Sequence, residues 1–100
     1  IGATGTNMRL PDDSYFFPID LPSGFSFYGT LYTQVAVGSN GTVYFEDTYL
    51  GCGNSAIPGD TGYGVQRFIA VYWDDLNPGS GGAVRYQVVG TTPNRRLVVS

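Results

Sequence analysis

Side chains with oxygen ligands are the residues of this chain whose type and spacing could do chemistry, and one such group, Asp74, Asp75 and Asn77, follows an apolar run. Neighbouring residues of a strand point to opposite faces, so Asp74 and Asp75 cannot act as two facing carboxylates on one substrate. A calcium site at these three residues is one hypothesis, because Ca²⁺ prefers oxygen ligands, although no D-x-D-x-D-G loop is present. Other aspartates could add charge: Asp12 and Asp13, or Asp47 and Asp60. The alternative, which we favour, is that Asp74 or Asp75 accepts hydrogen bonds from the backbone of the turn at 77–82.

The residues that usually activate a nucleophile are missing from the sequence, and nothing in it points to catalysis by aspartate alone. The chain has no His and no Lys, and all five of its positive charges are Arg. Ser and Thr therefore lack the usual base, and Cys52 has no His partner. Because Cys52 is the only cysteine, it is a free thiol or half of a bridge outside this chain, and an unreactive thiol is the simpler interpretation. We expect no enzymatic activity and no cofactor other than the calcium considered above.

The charge balance and the aromatic content limit the partners. A net charge of −3 argues against nucleic acid, whose phosphates need a positive field. No apolar run reaches the roughly 18 residues that indicate a membrane span. Eight Tyr exceed what a core of this size needs, since each buried hydroxyl wants a partner. We therefore predict aromatic binding residues that contact protein more readily than carbohydrate: Tyr28, Tyr32, Tyr49, Tyr63 and Trp73.

The elements that must position these residues are strands, because apolar residues alternate between turn signals and no segment keeps a helical spacing. Asn40-Gly41 predicts a type I′ hairpin turn. The unbroken apolar run at 68–73 predicts a central strand covered on both faces, and 84–88 is the strand that returns from it. We expect an all-β antiparallel sandwich over 14–100, preceded by a flexible arm or donor strand over 1–13.

The hairpin also contains a formal glycosylation sequon, Asn40-Gly41-Thr42. Such a sequon marks an accessible loop in a secreted protein. A tight turn already explains Asn and Gly at these positions. We therefore do not expect a glycan on Asn40.

Three stretches together carry a family resemblance. The first joins Phe25-Ser26-Phe27-Tyr28-Gly29 to Val37-Gly38-Ser39-Asn40-Gly41-Thr42-Val43-Tyr44-Phe45. The second is Ile69-Ala70-Val71-Tyr72-Trp73-Asp74-Asp75-Leu76, and the third is Pro93-Asn94-Arg95-Arg96-Leu97-Val98-Val99. In this order they resemble the nidogen-like β-domain, and most closely its bacterial relatives in secreted proteases and surface proteins.

The resemblance implies a sandwich that continues after this point, because the family domain usually adds a Trp and further strands. A sandwich without those strands has an unpaired edge and an open core, which favours strand addition from another chain. The implied function is a non-catalytic, extracellular structural or adhesive module for protein–protein assembly, such as the subunit of a surface filament. The alternative is an accessory domain that holds polysaccharide or protein substrate for a secreted bacterial enzyme.

Overall fold

Two antiparallel β-sheets make up the fold in the computed structural model, which describes residues 4–51, 56–57 and 67–100. The strands are β1 (Thr6–Asn7), β2 (Tyr15–Phe27), β3 (Thr30–Gly38), β4 (Thr42–Tyr44), β5 (Phe68–Ala70), β6 (Arg85–Val89) and β7 (Arg96–Val99), and a 3₁₀ turn spans Pro78–Ser80. One sheet has the order β1-β6-β7 and the other the order β2-β3-β4-β5. The predicted all-β antiparallel architecture is confirmed. No helix among the described residues is long and apolar enough to cross a membrane.

The four-stranded sheet packs apolar side chains on both of its faces. Val35 and Val37 of β3 belong to one cluster and Ala36 between them belongs to another, as a period of two requires. The inner core, shared with the three-stranded sheet, is built on Met8, Leu10, Ile19, Val35 and Val37. The outer cluster is built on Ala36, Tyr44, Leu50 and Trp73. The segment after β4 and the corner after β5 therefore cover the face that the second sheet leaves open.

The predicted Asn-Gly hairpin is present, but its turn is of another type. β3 and β4 are antiparallel with Gly38 opposite Thr42, so a three-residue loop joins them. Gly41 has a φ of 81°, whereas Asn40 is not among the described residues with positive φ. The Gly41 N–H donates to the Gly38 carbonyl at 3.4 Å, as in a type I turn followed by a left-handed residue. The type I′ prediction is wrong because the loop has three residues rather than two.

The prediction of a central strand over 68–73 is also wrong. β5 has only 3 residues and forms an edge of its sheet. Phe68 packs in the outer cluster, but on the other face Ile69 is 39% exposed and Val71 is 75% exposed. The strand ends here because the Val71 N–H donates to the carbonyl of Gly41 in the hairpin loop (3.1 Å). The returning strand is β6, which lies in the other sheet between β1 and β7.

The N-terminal segment joins the sandwich of its own chain. β1 pairs with β6, and the Met8 N–H donates to the Val84 carbonyl at 2.9 Å. Met8 and Leu10 are buried in the inner core. The sequence led us to expect a flexible arm or a donor strand over 1–13. In the structure Thr6–Asn7 form an edge strand in cis, and Met8 and Leu10 then place two apolar side chains in the core.

β2 lies at the edge of the four-stranded sheet opposite β5. Its pairing with β3 has two irregularities, one around Pro18 and one around Pro22. Proline lacks the N–H that a regular ladder uses, so such breaks are where it is tolerated. Both prolines therefore lie in an edge strand, where the missing N–H is tolerated.

Candidate functional site

Asn40 is the buried centre of the corner where the N-terminal segment, the β3–β4 loop and the segment after β5 meet. Its side chain is 1% exposed. The amide nitrogen donates to the Asp13 carboxylate (3.3 Å) and to the Tyr49 hydroxyl (3.0 Å). The amide oxygen accepts the Leu76 N–H (2.8 Å), and the Asn40 backbone carbonyl accepts the Asp74 N–H (3.2 Å). These bonds position the acidic residues of the corner.

The amide nitrogen of Asn40 is the atom to which a glycan would be attached. It lies within hydrogen-bonding distance of two side chains, Asp13 and Tyr49. A glycan would replace one of the two amide hydrogens that donate in these bonds, and it would need space that the buried side chain does not have. That Asn40 carries no glycan stays a prediction.

Three exposed carboxylates converge on this corner. Oxygens of Asp12, Asp13 and Asp75 lie within 4.8 Å of one another. Of the three residues predicted to hold calcium, this carboxylate group includes only Asp75, while Asp12 and Asp13 were expected merely to add charge. Asp74 uses its carboxylate to accept the N–H of Asp75 at 2.9 Å. The calcium hypothesis stays a prediction, and a melting temperature that rises with Ca²⁺ and falls with a chelator would support it.

The turn at 77–82 is not capped in the way that the sequence suggested. Its N–H groups at Ser80 and Gly81 donate to the carbonyls of Asn77 and Pro78, at 3.1 and 3.4 Å. Asn77 precedes the 3₁₀ turn without a side-chain capping bond. The interpretation that Asp74 or Asp75 caps this turn is therefore wrong, because the turn closes on its own backbone and Asn40 holds the segment before it.

The β2–β3 hairpin carries a second group of side chains, which stack around Phe45. The ring of Tyr32 lies over Phe45 with a centroid distance of 4.1 Å, and Phe27 packs at 5.3 Å. The Arg67 guanidinium donates to the Tyr32 hydroxyl at 2.9 Å, and this bond is the main cause that raises the pKa of Arg67. Tyr28, at the tip, is 81% exposed and has a φ of 49°. The hairpin thus presents an aromatic surface beside a fixed positive charge.

The aromatic residues predicted to bind a partner lie in separate places. Tyr28 and Tyr32 belong to the β2–β3 hairpin, and Tyr49 belongs to the corner around Asn40. Trp73 is buried in the outer cluster, where its indole N–H donates to the Gly51 carbonyl at 3.4 Å. Three residues considered in the sequence lie outside the described part of the chain: Cys52, Asp60 and Tyr63. The described aromatic residues therefore form no single binding face, and Trp73 supports the fold.

An apolar cleft opens between the two sheets, and it is bordered by β5, by β7 and by residues 21–25 of β2. Its volume is about 550 Å³. Both sheets contribute apolar side chains to its walls: Val35, Val43, Ile69, Val71, Val88, Leu97 and Val99. Ile69, Val71 and Val88 remain exposed there, although a closed sandwich would bury such residues. The inner core is therefore accessible from this side.

Arg95 and Arg96 line one end of this cleft. Both are exposed, and they supply two of the five positive charges in a chain of net charge −3. The resemblance implied an open core, but our sequence reasoning did not predict where the cleft lies or that these two arginines line it. The signal was present in the apolar run at 68–73, whose inward residues needed a cover, and in two adjacent arginines at the start of an alternating strand.

The titratable groups with shifted pKa values do not suit catalysis. Tyr44 is fully buried, its hydroxyl has no hydrogen-bond partner among the described residues, and burial raises its pKa well above the usual range. The neighbouring Tyr15 adds to that rise, and the Leu50 backbone opposes it. The Tyr15 hydroxyl donates to Asp47 at 2.9 Å, which raises the pKa of Tyr15. Both phenols therefore stay protonated at neutral pH and offer no base there.

Comparison with known proteins gives one match. The sequence matches the family described as NIDO related over residues 1–100, which confirms the nidogen-like resemblance. A search of curated proteins finds no match, and neither does a search of solved structures. The matched range includes both sheets, the corner around Asn40 and the open cleft.

Proposed function

This chain belongs to the NIDO-related family, and membership of this family suggests an extracellular β-domain module. On that premise we propose that the chain joins proteins to one another without catalysis. The partners are copies of the chain, as in a surface filament, or other extracellular polypeptides. The absence of His and Lys supports the non-catalytic part. The open cleft supports the joining part.

The observation that carries this proposal is the exposed apolar wall of the cleft. Ile69, Val71 and Val88 leave apolar surface in water, and covering it is favourable by roughly 25 cal/mol per Å² before the entropic cost of association is subtracted. β5 and β7 border the cleft, and each has one neighbouring strand among the described elements. A free strand edge next to an apolar wall favours strand addition by another chain.

Light scattering of the purified chain tests the self-assembly form of the proposal. Self-assembly through the cleft requires a mass that rises above 10.7 kDa as the concentration increases, because mass action favours association. Val71→Asp should return the mass toward that of the monomer, since it places a charge on the apolar wall.

Leu31→Asp is the matched control, because Leu31 is also exposed (67%, against 75% for Val71) but lies on the β2–β3 hairpin. It should leave the mass unchanged. A constant monomer mass for the unmodified chain would contradict self-assembly, and only joining to other polypeptides would remain. An equal response to both substitutions would place the contact outside the cleft.

An accessory binding domain is the second candidate, and the aromatic hairpin favours it. Phe25 and Tyr28 are exposed beside the Arg67–Tyr32 pair, and exposed aromatic rings suit sugar and protein contacts. In this case Tyr28→Ala should weaken retention in gels that contain a polysaccharide or a protein substrate, without changing the mass. Val71→Asp should have no effect on that retention.

A further inference from the structure

We propose that the cleft accepts an extended segment of another polypeptide, apolar at alternate residues and acidic at its C-terminal end, which adds as an antiparallel strand to β7. The inference rests on the proposed function as a joining module and names the chemistry of the partner. Three features of the cleft carry it: a free strand edge, an apolar wall and a pair of arginines at one end.

The free edge that suits such a strand is that of β7. β7 pairs with β6 from Arg96 to Val99, and Ser100 extends the ladder through two hydrogen bonds with Arg85, each of 2.8 Å. The other side of β7 has no strand neighbour among the described elements. β5 is the poorer template, because it has 3 residues and the chain beyond it turns to bond with the β3–β4 loop.

The wall of the cleft calls for apolar side chains at every second position of the incoming strand. Leu97 and Val99 of β7 pack in the inner core, so side chains of the added strand on the same face would point into the cleft. The volume of about 550 Å³ lies within the range of roughly 300–1,000 Å³ that bound ligands occupy. An added strand would form hydrogen bonds with the free edge of β7, and its apolar side chains would cover this wall.

The two arginines set the charge and the direction of the strand. Arg95 lies two positions before Leu97 and therefore on the same face of an extended chain. An antiparallel strand brings its C-terminal end to Arg95 and Arg96. Carboxylates at that end would form charge-assisted hydrogen bonds with the guanidinium groups. These charge pairs would favour an acidic partner strand over a neutral or basic strand with the same apolar residues.

The described strands of a second copy do not fit this role. Their apolar side chains already pack in their own inner core, as Ile19, Val35 and Leu97 do. Pairing of β7 with β7 would extend the sheet but would leave both clefts unfilled. The occupant is therefore a segment that is free of its own sandwich.

Two synthetic peptides test this inference. The acidic probe has ten residues, with valine at the second, fourth and sixth positions, aspartate at the eighth and tenth, and threonine elsewhere. The basic probe has lysine in place of both aspartates. Fluorescence anisotropy measures the affinity of each probe for the unmodified chain and for the double variant R95E/R96E. Both substitutions are at exposed positions, and an unchanged melting temperature would show that the variant folds.

We expect the unmodified chain to bind the acidic probe about tenfold or more tightly than the basic probe, and the double variant to reverse that preference. Bound acidic probe should also slow amide hydrogen exchange in β7 while leaving β1, which does not line the cleft, unchanged. Equal affinity for both probes, or protection at β5 in place of β7, would overturn the inference. A multimer that binds neither probe would also overturn it and leave the proposed function standing. A monomer that binds neither would overturn it together with the self-assembly form of the proposed function.

Discussion

The side chain of Asn40 connects segments that strand pairing does not join. It reaches Asp13 and Tyr49 through its nitrogen and Leu76 through its oxygen. The sequence could predict the turn in which Asn40 lies, because Asn-Gly has a local conformational preference. It could not predict these partners, since they lie 27 and 36 residues away for Asp13 and Leu76.

Replacing Asn40 should therefore lower the free energy of unfolding by more than the replacement of an ordinary turn residue does. Asn40→Ala removes two donors and one acceptor from a buried site, and we expect it to lower the free energy of unfolding by about 2–3 kcal/mol. Asn40→Asp keeps the acceptor for Leu76 but places a second carboxylate beside Asp13. Its cost should be larger at pH 7 than at pH 4, because protonation of one carboxyl group relieves the repulsion.

Urea unfolding at the two pH values measures these costs. Asn77→Asp is the matched control, since Asn77 is exposed and makes no side-chain capping bond, and it should change stability little at either pH. A cost of Asn40→Asp that is the same at pH 4 and pH 7 would contradict the role assigned to Asp13.

Tyr44 is a second residue that only the three-dimensional packing explains. Because side chains alternate along β4, Tyr44 and Val43 point to opposite faces of the sheet. Tyr44 lies on the face that a two-layer sandwich would expose, yet Leu50 and Trp73 bury it there. The resulting rise of its pKa means that the folded chain keeps the proton while the unfolded chain loses it near pH 10. Stability from this group is complete below about pH 10 and falls above it.

We predict that Tyr44→Phe is neutral or stabilising at pH 7, because it removes an unpaired buried hydroxyl, and that it weakens the alkaline loss of stability. Urea unfolding at pH 7, 9 and 11 would show this as curves for the variant and the unmodified chain that diverge above pH 10. Tyr28→Phe, at an exposed position, should follow the unmodified chain throughout. Parallel curves for Tyr44→Phe would contradict the prediction.

At the scale of elements, local signals and long-range contacts account for different parts of the fold. The β3–β4 hairpin could be predicted because Asn40-Gly41 favours a turn. The position of β5 could not be predicted, because a central strand covered on both faces and a strand beside an open cleft can have the same apolar sequence pattern. What ends β5 is the carbonyl of Gly41, which accepts the N–H groups of Val71 and Tyr72.

Gly41 should accordingly be the glycine of this region least tolerant of substitution. A Cβ at this position would collide with the Tyr72 carbonyl, in addition to the strain of a φ of +81°. Gly29 has a similar φ of +75° with nothing within 4 Å of the added atom. We expect Gly29→Ala to cost about 1 kcal/mol and Gly41→Ala about 3 kcal/mol or more. Thermal or urea unfolding gives both values, and equal costs would show that contact with Tyr72 is unimportant.

At the scale of the whole molecule, the two sheets differ in how well they are covered. The last part of β3 is buried on both faces, whereas β6 and β7 contain no fully buried residue. The sequence predicted the sandwich class from strand alternation and the family from three motifs. The resemblance implied an open core, but the sequence did not predict which side of the sandwich opens, since that depends on which strands meet across the core and no local pattern encodes it.

This difference predicts unequal local stability. Amides of Val35, Ala36 and Val37 should exchange with solvent only on global unfolding, because both clusters must open to expose them. Amides of β6 and β7 should exchange at least about tenfold faster, through opening of the three-stranded sheet alone. Hydrogen exchange measured by NMR separates the two groups. Exchange of β7 as slow as that of β3 in the free chain would mean that the open side costs no stability, and β7 would then gain nothing from an added strand.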